Sequence, residues 1–320
     1  MQELQSYIAN EYCPGVKLYG ADEAADALFS SLKDGLKPAL VSLSVLLGLI
    51  IVAALLKAFS SAVSDNSGIY DFCVCLICSA AAYEVLKNAY GAVSVSLTGI
   101  AVLMDTMSAA MCAVYGLTGN IVGGTSSVST LMLALQVMRL VSDKLLFPLC
   151  LSLFGVSLVS VLGFDAGLKR ISKTVRRAAV FLCSASGTAV CAVLSYQTVV
   201  ARAADGAALR TVKFASSSFI PIIGSSLSES VYAVTTSISA VKAAAGAGGV
   251  ISISVLILPA VVSVVLSKFC IRVCSSLSAL LEVGALSLFF DECGEILSIL
   301  LSVILTASVV FTVACALFCL

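Results

Sequence analysis

Two carboxylates stand inside long apolar runs: Asp105, set among Met104, Thr106 and Met107, and Glu282, between Leu280-Leu281 and Val283-Gly284. An ionisable group at membrane depth is a candidate proton or ion site by default. For Asp105 the competing reading is an amphipathic helix with its carboxylate in water. For Glu282 a buried, paired or protonated carboxylate fits, with Lys268 or Arg272 as candidate cations. A third charged feature is basic. Lys169, Arg170, Lys173, Arg176 and Arg177 follow Asp165 with no other acid among them. Such a cluster suits an acidic partner or anionic lipid head groups.

Other chemistry finds little support. The chain has no histidine, which removes the commonest metal ligand and general base together. Ser184-Ala-Ser186-Gly187 has the look of a nucleophile segment, but no imidazole exists to activate it. No HExxH zinc motif can occur. Tyr70-Asp71 and Gly163-Phe164-Asp165 faintly echo an intramembrane aspartyl pair, which needs two carboxylates sharing a proton. Both aspartates fall at span edges. Most of the 13 cysteines lie in apolar runs, where a thiol acts as a small hydrophobe. Cys73-Val-Cys75-Leu-Ile-Cys78 lacks a second cluster of matching spacing. No glycine-rich phosphate loop ending in Lys-Ser/Thr is present, so any energy for work comes from a partner. The expectation is a non-enzyme without cofactor or metal, and the zero net charge gives no footprint for nucleic acid.

The elements that hold these residues are set by composition. Of 320 residues, 60% are hydrophobic and 11% charged, with a mean hydropathy of +1.11. Soluble domains carry roughly 25% charged residues, so the solvent here must itself be apolar. A spanning helix needs about 20 mainly apolar residues. The expected fold is an all-α, polytopic membrane bundle of 8–9 transmembrane helices. Residues 1–37 read as a short, acid-rich extracytoplasmic arm without the basic and apolar regions of a signal peptide. Residues 38–320 form the transmembrane domain. Spans are expected near 38–59, 70–86, 93–115, 128–141, 145–162, 178–200, 250–267, 273–290 and 296–320, with a turn at 120–125. The positive-inside rule places the basic loop 165–177 in the cytoplasm. Counting spans outward puts Lys268 and Arg272 inside, Asp291, Glu292 and Glu295 outside, the N-terminus outside and the C-terminus inside.

Residues 201–247 fit this scheme least well. They are too polar for a simple span and too apolar for a loop, and Pro221 and Gly224 bracket Ile222-Ile223. They form either a re-entrant hairpin lining a cavity or an amphipathic connector on the membrane surface. Small residues recur in Ser184-Ala-Ser-Gly-Thr-Ala189 and from Ala243 to Gly249, marking faces where helix backbones approach closely.

That same segment carries a family resemblance. Asp205-Gly206-Ala-Ala-Leu209-Arg210-Thr211-Val-Lys213-Phe214, followed by Phe219-Ile220-Pro221-Ile-Ile-Gly224, resembles the signature region of the stage III sporulation protein AE family. The likeness covers the C-terminal half well and the N-terminal half mainly by hydropathy. Members usually begin with a signal peptide and a longer arm, so the N-terminus here reads as truncated or divergent. The resemblance implies a multi-pass protein of the mother-cell membrane around the forespore. It implies work with the other proteins of the stage III sporulation operon, including a secretion-type ATPase and ring-forming proteins. It also implies a forespore-side partner across the intermembrane space. The expected role is the membrane-embedded core of a transport channel required for endospore formation. The alternatives are a stand-alone secondary transporter using Asp105 and Glu282, and a structural membrane anchor for ring-forming partners.

Overall fold

The computed structural model describes residues 40–58, 67–117, 129, 132–133, 136–138, 140–161, 166–219 and 224–319, with 201–247 and some helix-end residues described by backbone alone. Every regular element among them is helical. In chain order these are α1 (Leu40–Ala58), α2 (Ser67–Leu117), a π-helical turn (Val141–Leu146) leading into α3 (Phe147–Val161), α4 (Ala166–Phe219), α5 (Gly224–Leu280) and α6 (Gly284–Cys319). Five carry stretches long and apolar enough to cross a membrane: Leu40–Ala58, Cys73–Ala109, Arg170–Gln197, Gly248–Leu280 and Gly284–Ala316. α3 adds a shorter apolar stretch, Phe147–Val159. Large apolar side chains face outward along these stretches, with Val95 73% and Phe181 70% exposed. Helices that are hydrophobic on every face suit lipid as the surrounding solvent. The chain is a multi-pass helical membrane bundle.

Several expected boundaries move. The pair of spans near 70–86 and 93–115 is one helix, α2, of 51 residues. The pair near 250–267 and 273–290 does not divide at Lys268 and Arg272, because α5 runs through both. Lysine and arginine are good helix formers, and their long stems let the charged head reach water from inside a span. The last three expected spans are therefore two helices. The basic run expected as a loop is helical too, since α4 begins at Ala166. The 1–37 arm, the 120–125 turn, Asp165 and most of the 128–141 span lie outside the described residues.

The real break after α5 has a local cause. The Val283 amide donates to the Ser278 carbonyl at 2.9 Å and the Glu282 amide to that of Ala279 at 3.1 Å. This is the Schellman pattern, which needs a left-handed residue at its penultimate position. Glu282 occupies it with φ 61°, a conformation that costs a side-chain-bearing residue about 1–2 kcal/mol. Val283, buried to 3% exposure, then starts α6 by accepting from the amides of Leu286 and Ser287.

α6 is the axis of the bundle, with half of its apolar window buried. α5 returns antiparallel to it, so that Ser275 meets Asp291 near the turn and Gly249 meets Cys315 far from it. α4 lies parallel to α6: Ser172 reaches Glu292, and farther along Cys183 reaches Thr306. α2 runs antiparallel to α5, with Gly99 on Leu256 and Met107 on Gly249. α3 runs antiparallel to α2 and α6 through Tyr83–Phe154, Tyr90–Phe147 and Phe154–Phe289, at ring-centroid distances of 5.8, 3.9 and 5.8 Å.

Both small-residue runs supply close contacts, as expected. A methyl group added at Gly187 would strike the Thr306 side chain, and one at Gly249 would lie 2.8 Å from Met107 Cε. Several buried or half-buried hydroxyls are satisfied on their own helices, whereas buried Ser252 Oγ has no hydrogen-bond partner among the described residues. Ser108, Ser157 and Ser278 each donate to a carbonyl three residues back, and Thr306 to one four back. This needs no water and so suits an apolar surround. Cys75, Cys78, Cys150, Cys183, Cys274, Cys293 and Cys315 are buried as packing groups.

Candidate functional site

Along α4, Ser172, Arg176, Ala179, Cys183, Gly187, Val190 and Leu194 recur at three- and four-residue spacing, which makes one stripe on a helix. The stripe faces α6. Its later members are small or apolar, with Ala179 and Cys183 no more than 1% exposed. Its first two are polar, and they meet two acids one turn apart on α6. Arg176 Nη1 lies 3.7 Å from Glu292 Oε2 and 3.7 Å from Glu295 Oε2. Ser172 Oγ donates to Glu292 Oε2 at 3.0 Å.

The three charged side chains are between 21% and 41% exposed. Fully exposed pairs contribute about 0.2–1 kcal/mol, whereas removing one partner of a buried pair costs about 3–5 kcal/mol. This cluster falls between those limits. It adds direction as well, because only one sliding register of α4 on α6 brings Arg176 between its acids.

The same level of the bundle gathers further polar groups. Ser275 Oγ of α5 donates to Asp291 Oδ1 at 2.6 Å. The Arg272 stem passes Gly294. Above the cluster, α6 carries no charged residue from Ile296 to Cys319, and neither does α4 from Ala178 to Ala201. A belt of charge therefore closes one end of these charge-free stretches of α4 and α6, with Arg176 and Arg177 at the boundary on α4.

The belt overturns one topological expectation. The span count set the basic run and the acids Asp291, Glu292 and Glu295 on opposite faces of the membrane. Their ion pairs place them on the same face. The error traces to α5, one helix where two spans were expected, so α4 and α5 together return the chain to the face it left. Lys57, at the end of α1, donates to the Glu282 carbonyl on this face as well.

The other sequence candidates scatter. Asp105 is exposed on α2, well away from the belt, on the turn before Met107 and its contact with Gly249. Glu282 is not inside a span; it caps the exposed α5–α6 turn, and what it offers Lys57 is its backbone carbonyl. Of the basic run, Arg176 enters the bundle while Arg170, Lys173 and Arg177 are exposed, and Lys169 lies in the first turn of α4. The motif residues from Asp205 to Phe219 continue the α4 helix beyond its apolar window, Gly224 opens α5, and Ile220 and Pro221 fall outside the described residues. The belt acids were missed as site residues. Their three-residue spacing and the stripe beginning at Ser172 were the available signals.

No curated protein matches this chain, and no solved structure does. The sequence model described as Stage III sporulation protein AE (spore_III_AE) matches residues 3–320. The match runs through the N-terminal half, where the resemblance rested mainly on hydropathy, and through the whole bundle. The chain belongs to the stage III sporulation protein AE family, a family of spore formation.

Proposed function

We propose that this protein is the membrane-embedded core of a multiprotein transport channel that joins the mother cell to the forespore during endospore formation. The observation that carries this reading is the family match over residues 3–320. The chain has no phosphate loop, so in this reading a secretion-type ATPase supplies energy and ring-forming proteins of the same operon complete the conduit. The protein itself performs no bond chemistry.

The belt supports one orientation. Lysine and arginine direct topology far more strongly than acids do, so the belt face is cytoplasmic. α1 then starts on the extracytoplasmic side, in keeping with the expected arm there. α6 carries the C-terminus to that side too, in place of the cytoplasmic end first expected. α4 has 54 residues and α5 has 57, which at 1.5 Å per residue makes each about 80 Å long against a hydrocarbon core of roughly 30 Å. Their surplus, with the motif residues Asp205–Phe219 on α4 and Gly224 on α5, extends away from the belt into the intermembrane space. A forespore-side partner would meet it there.

Deleting the gene in a spore-forming host tests the role. Engulfed forespores should collapse and lack late forespore gene expression, and the wild-type gene in trans should restore both. Normal spores from the deletion strain would refute the reading.

A further inference from the structure

Beside the Arg176 cluster on α6, α2 and α3 meet through two aromatic pairs. Tyr83 packs on Phe154 and Tyr90 on Phe147. The pairs are seven residues apart on each helix, or about 10 Å. Between them the small side chain of Cys150 leaves a cleft of about 430 Å³, backed by Ile296 and Leu300 of α6. Its lining is apolar and aromatic except for one cation, Lys87.

We propose that this cleft is a binding site for one anionic phospholipid. Depth, charge and shape argue for it together. Ile296 adjoins Glu295, which pairs with Arg176, so the cleft opens at the level of the belt, where the charge-free stretch of α6 begins. That is the depth of lipid head groups. Lys87 is 61% exposed, and its ammonium pairs with Glu84 on its own helix, 3.8 Å away and 62% exposed. So loose a pair contributes little and exchanges readily for a phosphate. From Lys87 the cleft continues along Tyr90, Phe147 and Leu300, away from the belt and into the apolar layer, as an acyl chain must run. Basic pockets between spanning helices take anionic head groups by the same chemistry. A partner's apolar transmembrane helix would fill the apolar part but would leave Lys87 with only its loose pair to Glu84.

Native mass spectrometry of the full chain in a nonionic detergent tests this, with dioleoyl phosphatidylglycerol and dioleoyl phosphatidylcholine added at equal concentration. The wild-type protein should retain one phosphatidylglycerol in preference to phosphatidylcholine. Lys87→Gln should lower that retention about fivefold, the worth of one lysine near an anionic surface. Cys150→Phe should abolish it by filling the cleft. Lys87 is exposed, so its variant keeps the test decisive even if Cys150→Phe fails to fold. Equal retention of the two lipids, unchanged phosphatidylglycerol retention in Lys87→Gln, or a protein dimer forming in place of a lipid adduct would each overturn the proposal.

Discussion

Arg176 and Glu292 face each other across the parallel helices α4 and α6 at 3.7 Å, with Ser172 donating to the same carboxylate at 3.0 Å. One pair thus ties the most basic segment of the chain to an acidic cluster on α6. It fixes the register of two spans and assigns both ends to one membrane face.

Replacing Arg176 with Glu should destabilise the bundle by about 2 kcal/mol, between the values for exposed and buried pairs. Three carboxylates would then crowd one turn. Adding Glu292→Arg should restore most of the loss. Thermal unfolding of the detergent-purified single and double variants measures this, and a double variant no better than Arg176→Glu would show that the two side chains do not interact.

Gly187 and Gly155 make a matched pair for packing. A side chain at Gly187 meets Thr306, whereas nothing lies within 4 Å of the position a methyl would take at Gly155. Gly187→Ala should cost about 1–3 kcal/mol by overpacking. Gly155→Ala should be neutral, or stabilise by up to about 1 kcal/mol through helix propensity. Melting temperatures in one detergent compare them directly, and equal shifts would contradict the α4–α6 contact.

Glu282 separates the channel reading from the secondary-transporter alternative. Its left-handed backbone favours glycine, and its backbone carbonyl is what receives Lys57. Glu282→Gly should therefore stabilise the turn by about 1 kcal/mol and leave sporulation intact. Loss of sporulation in both Glu282→Gly and Glu282→Gln, with normal protein levels, would instead mean that the carboxylate has a role.

Apolar content made the membrane bundle legible from sequence, and the small-residue runs pointed to the contacts later found at Gly187 and Gly249. Helix ends were less legible. Lys268 and Arg272 looked like a loop because charge was taken as a break, yet a lone cation on a long stem sits in a helix at little cost. The true break uses a glutamate where glycine is usual, so residue type gave no warning. The belt was hidden for a different reason. Arg176 and Glu292 are 116 residues apart, and their meeting depends on α4 lying parallel to α6, which no local pattern encodes. The motif from Asp205 to Gly224 carried the family resemblance, and the family match covers residues 3–320.

Paired reporter fusions test whether Arg176 and Glu292 share one membrane face. Alkaline phosphatase, active outside the cytoplasm, and green fluorescent protein, fluorescent inside it, would each be joined after Asp165, within the Leu281–Val283 turn, and after Leu320. Fluorescence without phosphatase activity at the first two junctions, and phosphatase activity at the third, is the predicted result. Opposite signals at Asp165 and at the 281–283 turn would place the belt residues on different faces and contradict it.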